Sequence, residues 1–353
     1  MRRLGLIGDA DDRNLQRRCH TGVPVAEDPA TPVPSGRVRT IRASTYVPSM
    51  EDGTLARSYG AVFNDVAAEY DRNRPTYPDA LVDHACRLAR IGAGDRVLEI
   101  GCGTGQLTRS LLARGLCVTA LEPGNELIAI AGENLEDAGD VDLVNARLED
   151  VALPRERYRA VFSASAIHWA DPDLSWRRIA DVLVPGGTLA LLQYFGLRER
   201  RSADDQEQLL SAIRRHAPDI AAGWPIYRDL ERTIAGVQER RRNVADAWGW
   251  LGSYDVGRDY AADLFEDVEL ATAPTLIEHT ADEINALLAT MSFWARLTPD
   301  QRDALAGENR ALYERLGRPI RASTLAALVT ARRRGSQQAQ PAVADHRSWA
   351  SGT

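Results

Sequence analysis

Nine residues, 97–105, have the sequence VLEIGCGTG, which places three glycines within five positions directly after an apolar run. The apolar run is typical of a buried strand, and the next segment, QLTRSLLARG, has the apolar spacing of a helix that ends at Gly115. Glycines between strand and helix leave the backbone bare at the turn. In open parallel sheets, ligands bind at the carboxyl ends of the strands. The stretch therefore predicts a parallel sheet with a ligand at its edge.

Segments typical of strands and helices alternate along the rest of the chain. RVLEI, CVTALEP, VDLVNA, YRAVFSASA and TLALLQYF read as buried strands, and helical segments lie between most of them. Such alternation indicates parallel pairing and a doubly wound α/β sheet. Two further strands, PTLIEHT and TLAALVTARR, flank a region of helices, and one of these helices begins with a capping box formed by Thr298 and Gln301.

The expected organisation is one domain, residues 51–334, between two loose ends. Residues 1–50 are rich in proline and small side chains, which is typical of a flexible extension, and Met50 is an alternative start. Residues 335–353 are polar and read as a flexible tail. Residues 198–265 are rich in arginine and helical in pattern, so we expect a helical insertion that either packs on the sheet or caps a substrate pocket.

Composition narrows the set of partners. The 353 residues carry a net charge of −7, which disfavours nucleic acid as a partner because binding it depends on neutralising phosphates. The sequence has no apolar run of the roughly 20 residues that a membrane span needs. The four cysteines lack metal or disulfide spacing, and the first apolar stretch is too short for a signal peptide. We therefore expect a cytoplasmic protein that needs no metal and no membrane.

Two acidic residues beside the glycines indicate the class of ligand. Glu99 lies at the entrance of the turn, where a carboxylate repels a pyrophosphate and attracts a cation. The spacing Gly-x-Gly-x-Gly also departs from the Gly-x-Gly-x-x-Gly of dinucleotide sites. Glu122 ends the next strand, 21 residues after Gly101, where a carboxylate can accept both hydroxyls of a ribose. A cationic nucleoside such as S-adenosylmethionine (SAM) suits this pair better than a nicotinamide dinucleotide does.

Five motifs in order carry a resemblance to a known family. VLEIGCGTGQLT, ALEPG, ARLEDVALP, FSASAIHWADP and VLVPGGTLALL are similar to the motifs of class I SAM-dependent methyltransferases, in the small-molecule group that includes trans-aconitate and quinone-biosynthesis enzymes. The resemblance covers residues 58–195 well and 265–333 loosely. It implies SAM as the cofactor and a Rossmann-like sheet of seven strands. The implied strand order is 3-2-1-4-5-7-6, with the last strand antiparallel.

The resemblance also implies a set of cofactor-binding residues. The turn around the methionine part of SAM is formed by Glu99, Gly101, Cys102, Gly103 and Gly105. The ribose and adenine are held by Glu122, Pro123, Arg147 and Leu148, although many members of the family have an Asp-Ala pair in place of the last two. The wall beside the sulfonium and the cover over the cofactor are formed by Ser163, Ala164, Ser165, Tyr70 and Arg74.

His168 is the candidate catalytic residue, because an unperturbed imidazole can accept a proton near neutral pH. The alternative is that His168 shapes the pocket without taking part in proton transfer. The leading hypothesis is a methyltransferase that acts on a small molecule of secondary metabolism. A protein that binds SAM or S-adenosylhomocysteine without transferring a methyl group is the second hypothesis, and an NAD-dependent oxidoreductase is the third. The acceptor, the methylated atom and the oligomeric state stay open.

Overall fold

The computed structural model describes residues 38–42, 63–222 and 227–335. Most of residues 1–50 and 335–353, the two ends for which we expect flexibility, lies outside these ranges. Residues 38–42 are an exception, because they form a strand, and the expectation of a flexible extension is wrong for them. Their sequence, VRTIR, contains three β-branched residues, which favour extended structure.

Nine strands and eleven α-helices make up the described part of the chain. The strands are β1 (Val38–Arg42), β2 (Arg96–Ile100), β3 (Cys117–Leu121), β4 (Val141–Asn145), β5 (Tyr158–Ala164), β6 (Leu183–Leu197), β7 (Tyr227–Arg228), β8 (Phe265–His279) and β9 (Ile320–Arg333). The helices are α1 (Ala67–Asn73), α2 (Asp79–Ala89), α3 (Gln106–Leu112), α4 (Asn125–Asn134), α5 (Pro172–Val182), α6 (Ala203–His216), α7 (Pro218–Ala221), α8 (Leu230–Glu239), α9 (Val244–Gly252), α10 (Ala281–Ala289) and α11 (Pro299–Leu316).

All nine strands belong to one sheet. Its order is β1-β4-β3-β2-β5-β6-β9-β8, and β7 adds to β6. The pairs from β1 to β6 are parallel, whereas β9 is antiparallel to both β6 and β8. The seven expected strands stand in the expected order, and the Rossmann-like α/β class is confirmed. The expected count of seven is wrong, since β1 extends one edge and the two-residue β7 pairs with the end of β6.

Hydrophobic cores cover both faces of the sheet. Successive residues of a strand point to opposite faces, so Val97 and Leu98 of β2 belong to different clusters of buried side chains. All five residues of β3 are buried. Strands that are buried on both sides appear in the sequence as continuous apolar runs, which is why β2, β3 and β5 can be recognised there.

Helices α6, α8 and α9 occupy much of the segment in which the sequence predicts a helical insertion. On α9, the indole of Trp248 is fully buried and meets Phe195 of β6 edge to face, with 6.2 Å between ring centroids. This helix therefore packs on the sheet. The residues directly after α9 reach a cavity that is described below. A capping role for the segment stays a prediction.

Two capping boxes fix the helices near the end of the chain. The expected box at Thr298 and Gln301 is confirmed at the start of α11, and Thr280 with Glu283 forms a second box at the start of α10. Gly317 ends α11 in the left-handed conformation with a φ of 60°. Within the described ranges, no helix combines the length and apolar content that a membrane span requires.

Phe162 of β5 tests the central packing of the sheet, because its side chain is fully buried in one of the two main clusters. We expect Phe162→Ala to lower the free energy of unfolding by about 3–5 kcal/mol, since it removes buried contacts and leaves a cavity. Leu174→Ala is the control, because Leu174 is 46% exposed on α5 and its truncation is expected to change stability by less than about 1 kcal/mol. Urea unfolding measures both values, and equal losses would contradict this description of the core.

Candidate functional site

A cavity of about 1300 Å³ opens at the carboxyl edge of the parallel strands. The turns after β2, β3, β4 and β5 line one side of it, and the segment around α1 covers them. The cavity brings together all of the site residues that the sequence predicts except Gly105 and Ser163. Those that line it are Tyr70, Arg74, Glu99, Gly101, Cys102, Gly103, Glu122, Pro123, Arg147, Leu148, Ala164, Ser165 and His168.

The three glycines of the turn after β2 are required for different structural reasons. Gly101, Gly103 and Gly105 all have positive φ, at 72°, 58° and 93°. A Cβ on Gly101 would lie 2.3 Å from the Cβ of Ala166, so this glycine allows the turns after β2 and β5 to touch. A Cβ on Gly103 would meet only ordinary contacts, at 3.6 Å from the Tyr70 ring. Neighbouring atoms would therefore leave room for a side chain at Gly103. The side of Gly103 without a side chain lines the cavity.

The two predicted residues outside the cavity support its walls. Gly105 precedes α3, and a Cβ there would approach Leu135 to 3.1 Å. The hydroxyl of Ser163 is fully buried and donates a hydrogen bond to the carbonyl oxygen of Ile100 at 3.0 Å, which ties β5 to β2. Both residues contribute to the shape of the turn without lining the cavity.

Glu122 at the end of β3 holds the glycine turn through its carboxylate. Its Oε2 accepts the N–H of Gly103 at 2.9 Å, and its Oε1 accepts the N–H of Gly124 at 2.8 Å. Burial raises the pKa of Glu122, and the two backbone hydrogen bonds oppose this change. A carboxylate offers about four lone-pair positions. Each oxygen thus keeps one position for a hydroxyl of a ligand.

Glu99 is the second acid of the turn and is 1% exposed. Its Oε2 accepts a hydrogen bond from the Thr108 hydroxyl at 2.7 Å. Burial raises its pKa to about 7, the bond from Thr108 lowers it, and the charge of Glu122 raises it further. Two acids therefore share a dry turn in which ionisation is unfavourable. A cation placed between them would favour the ionised forms.

Unpaired donors also face this edge of the cavity. Among the described residues, the Arg74 Nε and the Gln106 Nε2 are buried and have no hydrogen-bond partner. Buried polar groups are normally paired, so such atoms indicate where a ligand supplies the missing acceptor. The two acids, the bare Gly103 and these donors together fit a nucleoside that bears an amino acid joined through its side-chain end, because such a ligand carries an ammonium group, ribose hydroxyls and a carboxylate.

Aromatic residues before α2 cover the turn. The rings of Phe63 and Tyr70 meet edge to face, and the Arg74 guanidinium lies 5.0 Å from the centre of the Tyr70 ring. The Arg74 Nη2 also donates to the carbonyl oxygen of Thr290 at 2.6 Å, which links this cover to the segment after α10. Tyr77 continues the cover, with its hydroxyl 2.7 Å from the Ser165 Oγ.

Ser165 has an unusual backbone at the end of β5. Its φ is 54°, a region that non-glycine residues rarely adopt. Its N–H donates to the carbonyl oxygen of Leu192 at 2.8 Å, and its hydroxyl bonds to Tyr77. Residues held in such conformations cluster at functional sites because the surrounding structure fixes them. Ala164 and Ser165 therefore form a rigid wall of the cavity.

His168 lies in the short helical turn Ile167–Trp169 that follows β5. Its imidazole stacks on the Tyr254 ring, with 4.1 Å between centroids and 2° between the planes, and its buried Nδ1 has no partner among the described residues. Burial lowers the pKa of His168 to about 3. The ring is therefore neutral at physiological pH and a weak base.

The other predicted residues surround the cavity without sharing one role. Arg147 pairs with Glu149 at 3.1 Å, and Leu148 is buried beside it. Cys102 is buried in the turn as a free thiol, and Cys86 is also free. The expected cytoplasmic location stays a prediction.

Sequence reasoning missed Gln193 and Tyr77, which line the cavity. The amide Nε2 of Gln193 on β6 donates to the hydroxyl of Tyr254, which lies 61 positions further along the chain. The ring of Tyr77 stacks on Tyr194, with 5.2 Å between centroids. The position of Gln193, a polar residue in the otherwise apolar TLALLQYF, is a signal that could have identified it. Within residues 38–42, 63–222 and 227–335, no group of His, Cys, Asp or Glu side chains could hold a metal ion.

The glycine turn lies in the part of the chain that is similar to known proteins. Residues 98–191 match the family model described as a methyltransferase domain. An uncharacterized methyltransferase of Mycobacterium tuberculosis is 35% identical over 136 residues, which are 38% of this chain and 53% of that protein. A ubiquinone biosynthesis O-methyltransferase of Xanthomonas campestris is 37% identical over 110 residues, which are 30% of this chain and 45% of that protein.

These similarities confirm the resemblance to class I SAM-dependent methyltransferases and SAM as the cofactor that the domain implies. The chain spans about half the length of the curated relatives that it matches. The matched region, 98–191, begins within β2, contains β3 to β5 and ends within β6. It includes the glycine turn, both acids and His168, whereas α6 to α11 lie beyond it.

The raised pKa of Glu99 predicts a pH dependence of stability. Because the folded-state pKa of about 7 lies above the ordinary value of 4.5, Glu99 favours folding most below pH 4.5, and this contribution is lost as pH rises through 7. The loss is on the order of 3 kcal/mol. We expect Glu99→Gln to remove that part of the decline in the free energy of unfolding between pH 5 and pH 8.

Chemical denaturation at a series of pH values measures this difference. Glu136→Gln is the matched control, because Glu136 is exposed in the turn just after α4. The control is expected to follow the unmodified protein at every pH. A Glu99→Gln profile parallel to that of the unmodified protein would show that Glu99 is not the buried acid described here.

Proposed function

We propose that this chain, whose residues 98–191 are a methyltransferase domain, transfers a methyl group from SAM to a small molecule of the kind found in secondary metabolism. The observation that supports this proposal most strongly is the pair of buried carboxylates, Glu99 and Glu122, at the bare Gly103 turn. A pyrophosphate would meet two carboxylates there, which disfavours an NAD-dependent oxidoreductase.

The residues of the turn fit the cofactor that the domain implies. The free lone pairs of Glu122 suit two ribose hydroxyls, and the ionised form of Glu99 suits the cationic methionine portion. The unpaired Nε of Arg74 suits a carboxylate. Leu148, buried next to Arg147 after β4, offers an apolar surface for an adenine. The residues predicted from the resemblance thus have chemistry that matches the parts of SAM.

The protein's contribution to the reaction is to orient the reactants and to exclude water. The cofactor, when bound, supplies a methyl group whose bond to sulfur breaks as a bond to the acceptor forms, with the electron pair left on sulfur. Ser165 and Ala164 form a rigid wall, and Tyr70 and Tyr77 close the edge above it. Orientation of two reactants can lower a barrier by about 7–11 kcal/mol in favourable cases, so no metal is needed in this account.

His168 acts in this proposal as a neutral part of the pocket wall. Its pKa of about 3 makes the imidazole a poor acceptor for a proton at neutral pH. Its stacking on Tyr254 fixes the position of both rings. The hypothesis that His168 is the general base is thus less well supported than a positioning role. An acidic proton on the acceptor would leave to solvent through the mouth of the cavity.

A protein that binds SAM without transferring its methyl group would have the same glycine turn. The size of the cavity favours transfer, because about 1300 Å³ exceeds the 300–1,000 Å³ of common ligand pockets and leaves space beside a cofactor. The net charge of −7 favours a small-molecule acceptor over nucleic acid. A cytoplasmic location is part of the proposal.

Binding of SAM should raise the melting temperature, because a ligand that binds only the folded state stabilises it. We expect Gly103→Ala to weaken SAM binding at least about tenfold, since its methyl group occupies the face that the ligand approaches. The substitution also costs about 1–2 kcal/mol of stability, because alanine is strained at a φ of 58°. Isothermal titration calorimetry and thermal melts measure the two effects.

Gly317→Ala is the matched control for this substitution. Gly317 has a φ of 60° and open space around it, but it lies at the end of α11. The control is expected to lose similar stability and to keep its affinity for SAM. Equal affinities in the two variants would show that the ligand does not lie on Gly103, and the absence of SAM binding to the unmodified protein would overturn the proposed function.

The affinity for SAM should also depend on pH through Glu99. A cation binds the ionised carboxylate, so the affinity is expected to fall about tenfold as pH drops from 7 to 5.5 and Glu99 becomes protonated. In Glu99→Gln the affinity is expected to be lower at pH 7 and nearly constant over this range. Calorimetry at several pH values gives both curves, and a steep fall that persists in Glu99→Gln would assign the titration to another group.

A further inference from the structure

The cavity continues beyond the cofactor edge into a second region, the acceptor chamber. We define the chamber by six apolar residues from α6, β8, α10, the segment after α10, and α11: Leu210, Ile277, Ile284, Leu287, Met291 and Leu305. Ile284 and Leu305 are buried in two small clusters that hold α6, α10 and α11 together. These helices lie outside the methyltransferase domain match, so the domain family does not specify the chamber.

Charged side chains that line the cavity are concentrated at the cofactor edge. Arg74, Glu99, Glu122, Arg147 and Glu149 line that edge, and two further acids at the rim are exposed. Arg74 also reaches the border of the chamber, because its Nη2 donates to the carbonyl oxygen of Thr290, next to Met291. The other charged residues among the described lining lie at the cofactor edge or the exposed rim. His279 and Tyr227 are titratable groups of the chamber. Burial lowers the pKa of the imidazole and raises the pKa of the phenol to about 12, so both are neutral at pH 7.

Most polar groups of the chamber already bond within the protein. The Asn309 Nδ2 donates to Asn285 at 2.7 Å, and the Gln206 Nε2 donates to the carbonyl oxygen of Ser323 at 3.1 Å. Two buried oxygens have no partner among the described residues, namely the Gln193 Oε1 and the Thr324 Oγ1. The amide oxygen can only accept a hydrogen bond, so it requires a donor on the ligand.

Gln193 lies at the boundary between the two regions. It follows Leu192, whose carbonyl oxygen accepts the N–H of Ser165 in the cofactor wall. Its own Nε2 donates to the hydroxyl of Tyr254, which fixes the amide with its oxygen left unpaired. A ligand group bonded to the Gln193 Oε1 is thereby held next to the wall from which the methyl group is expected to come.

We propose that the acceptor is an uncharged, mainly apolar small molecule with a hydrogen-bond donor that bonds to the Gln193 Oε1. The Arg74 guanidinium at the border is assigned to the carboxylate of SAM, so a charged group buried among the chamber's apolar side chains would lack a partner and would be strongly disfavoured. A donor group instead satisfies an acceptor that is otherwise buried and unpaired. That the chamber's ligand is the methyl acceptor rests on the proposed function. The ligand selectivity of the chamber can be tested without methyl transfer.

The test uses small aromatic probes that differ in one group. Displacement of the fluorescent amine N-phenyl-1-naphthylamine measures the binding of 1-naphthol, naphthalene and 1-naphthoate to the full chain at pH 7. We expect 1-naphthol to bind at least about tenfold more tightly than 1-naphthoate, which carries a charge, and several-fold more tightly than naphthalene, which has no donor. Equal or tighter binding of 1-naphthoate, or no binding of any probe, would overturn the inference.

Two variants locate the binding. Leu210→Trp fills the chamber from α6 and is expected to abolish displacement by all probes, whereas Leu174→Trp on the exposed face of α5 leaves it unchanged. Gln193→Met is expected to remove the preference for 1-naphthol over naphthalene. Unchanged binding in Leu210→Trp would show that the probes lie elsewhere. Calorimetry with SAM on the same samples separates the two proposals, because its failure overturns the proposed function whatever the probes do.

Discussion

Two carboxylates held in a dry turn are the constraint on which the rest of the site depends. Glu99 and Glu122 end adjacent strands, both are buried, and burial raises the pKa of each. Burial of two acids in one place opposes folding unless something offsets their charges. In this chain, backbone N–H groups and the Thr108 hydroxyl offset part of that charge. The remainder is available to a cation, and we propose that this makes the turn selective for SAM.

The fold supplies the geometry that keeps this turn in place. Parallel strands buried on both faces bring the turns after β2, β3 and β5 to one edge. Gly101 lets the turn after β2 touch Ala166, and the hydroxyl of Ser163 ties β5 to Ile100. Helices from the second half of the chain then extend the same cavity with apolar side chains. In the proposed function, cofactor selectivity and acceptor selectivity thus arise in different parts of the sequence.

Much of this arrangement could be predicted from the sequence, because it depends on local patterns. Apolar runs identify the strands of the parallel core, the Thr298 box identifies the start of α11, and the glycines identify the turn. The strands β1 and β7 could not be predicted as members of the sheet, since their pairing depends on where distant parts of the chain lie. The low basicity of His168 also escaped prediction, because it arises from burial against Tyr254, 86 positions away by residue number.

A crystal structure of the protein with S-adenosylhomocysteine would test the central claim most directly. The account predicts that both ribose hydroxyls donate to the Glu122 carboxylate, that the methionine portion lies along the bare face of Gly103 near Glu99, and that the sulfur faces Ser165. A nucleoside bound at another edge of the sheet, or one whose ribose makes no contact with Glu122, would contradict it.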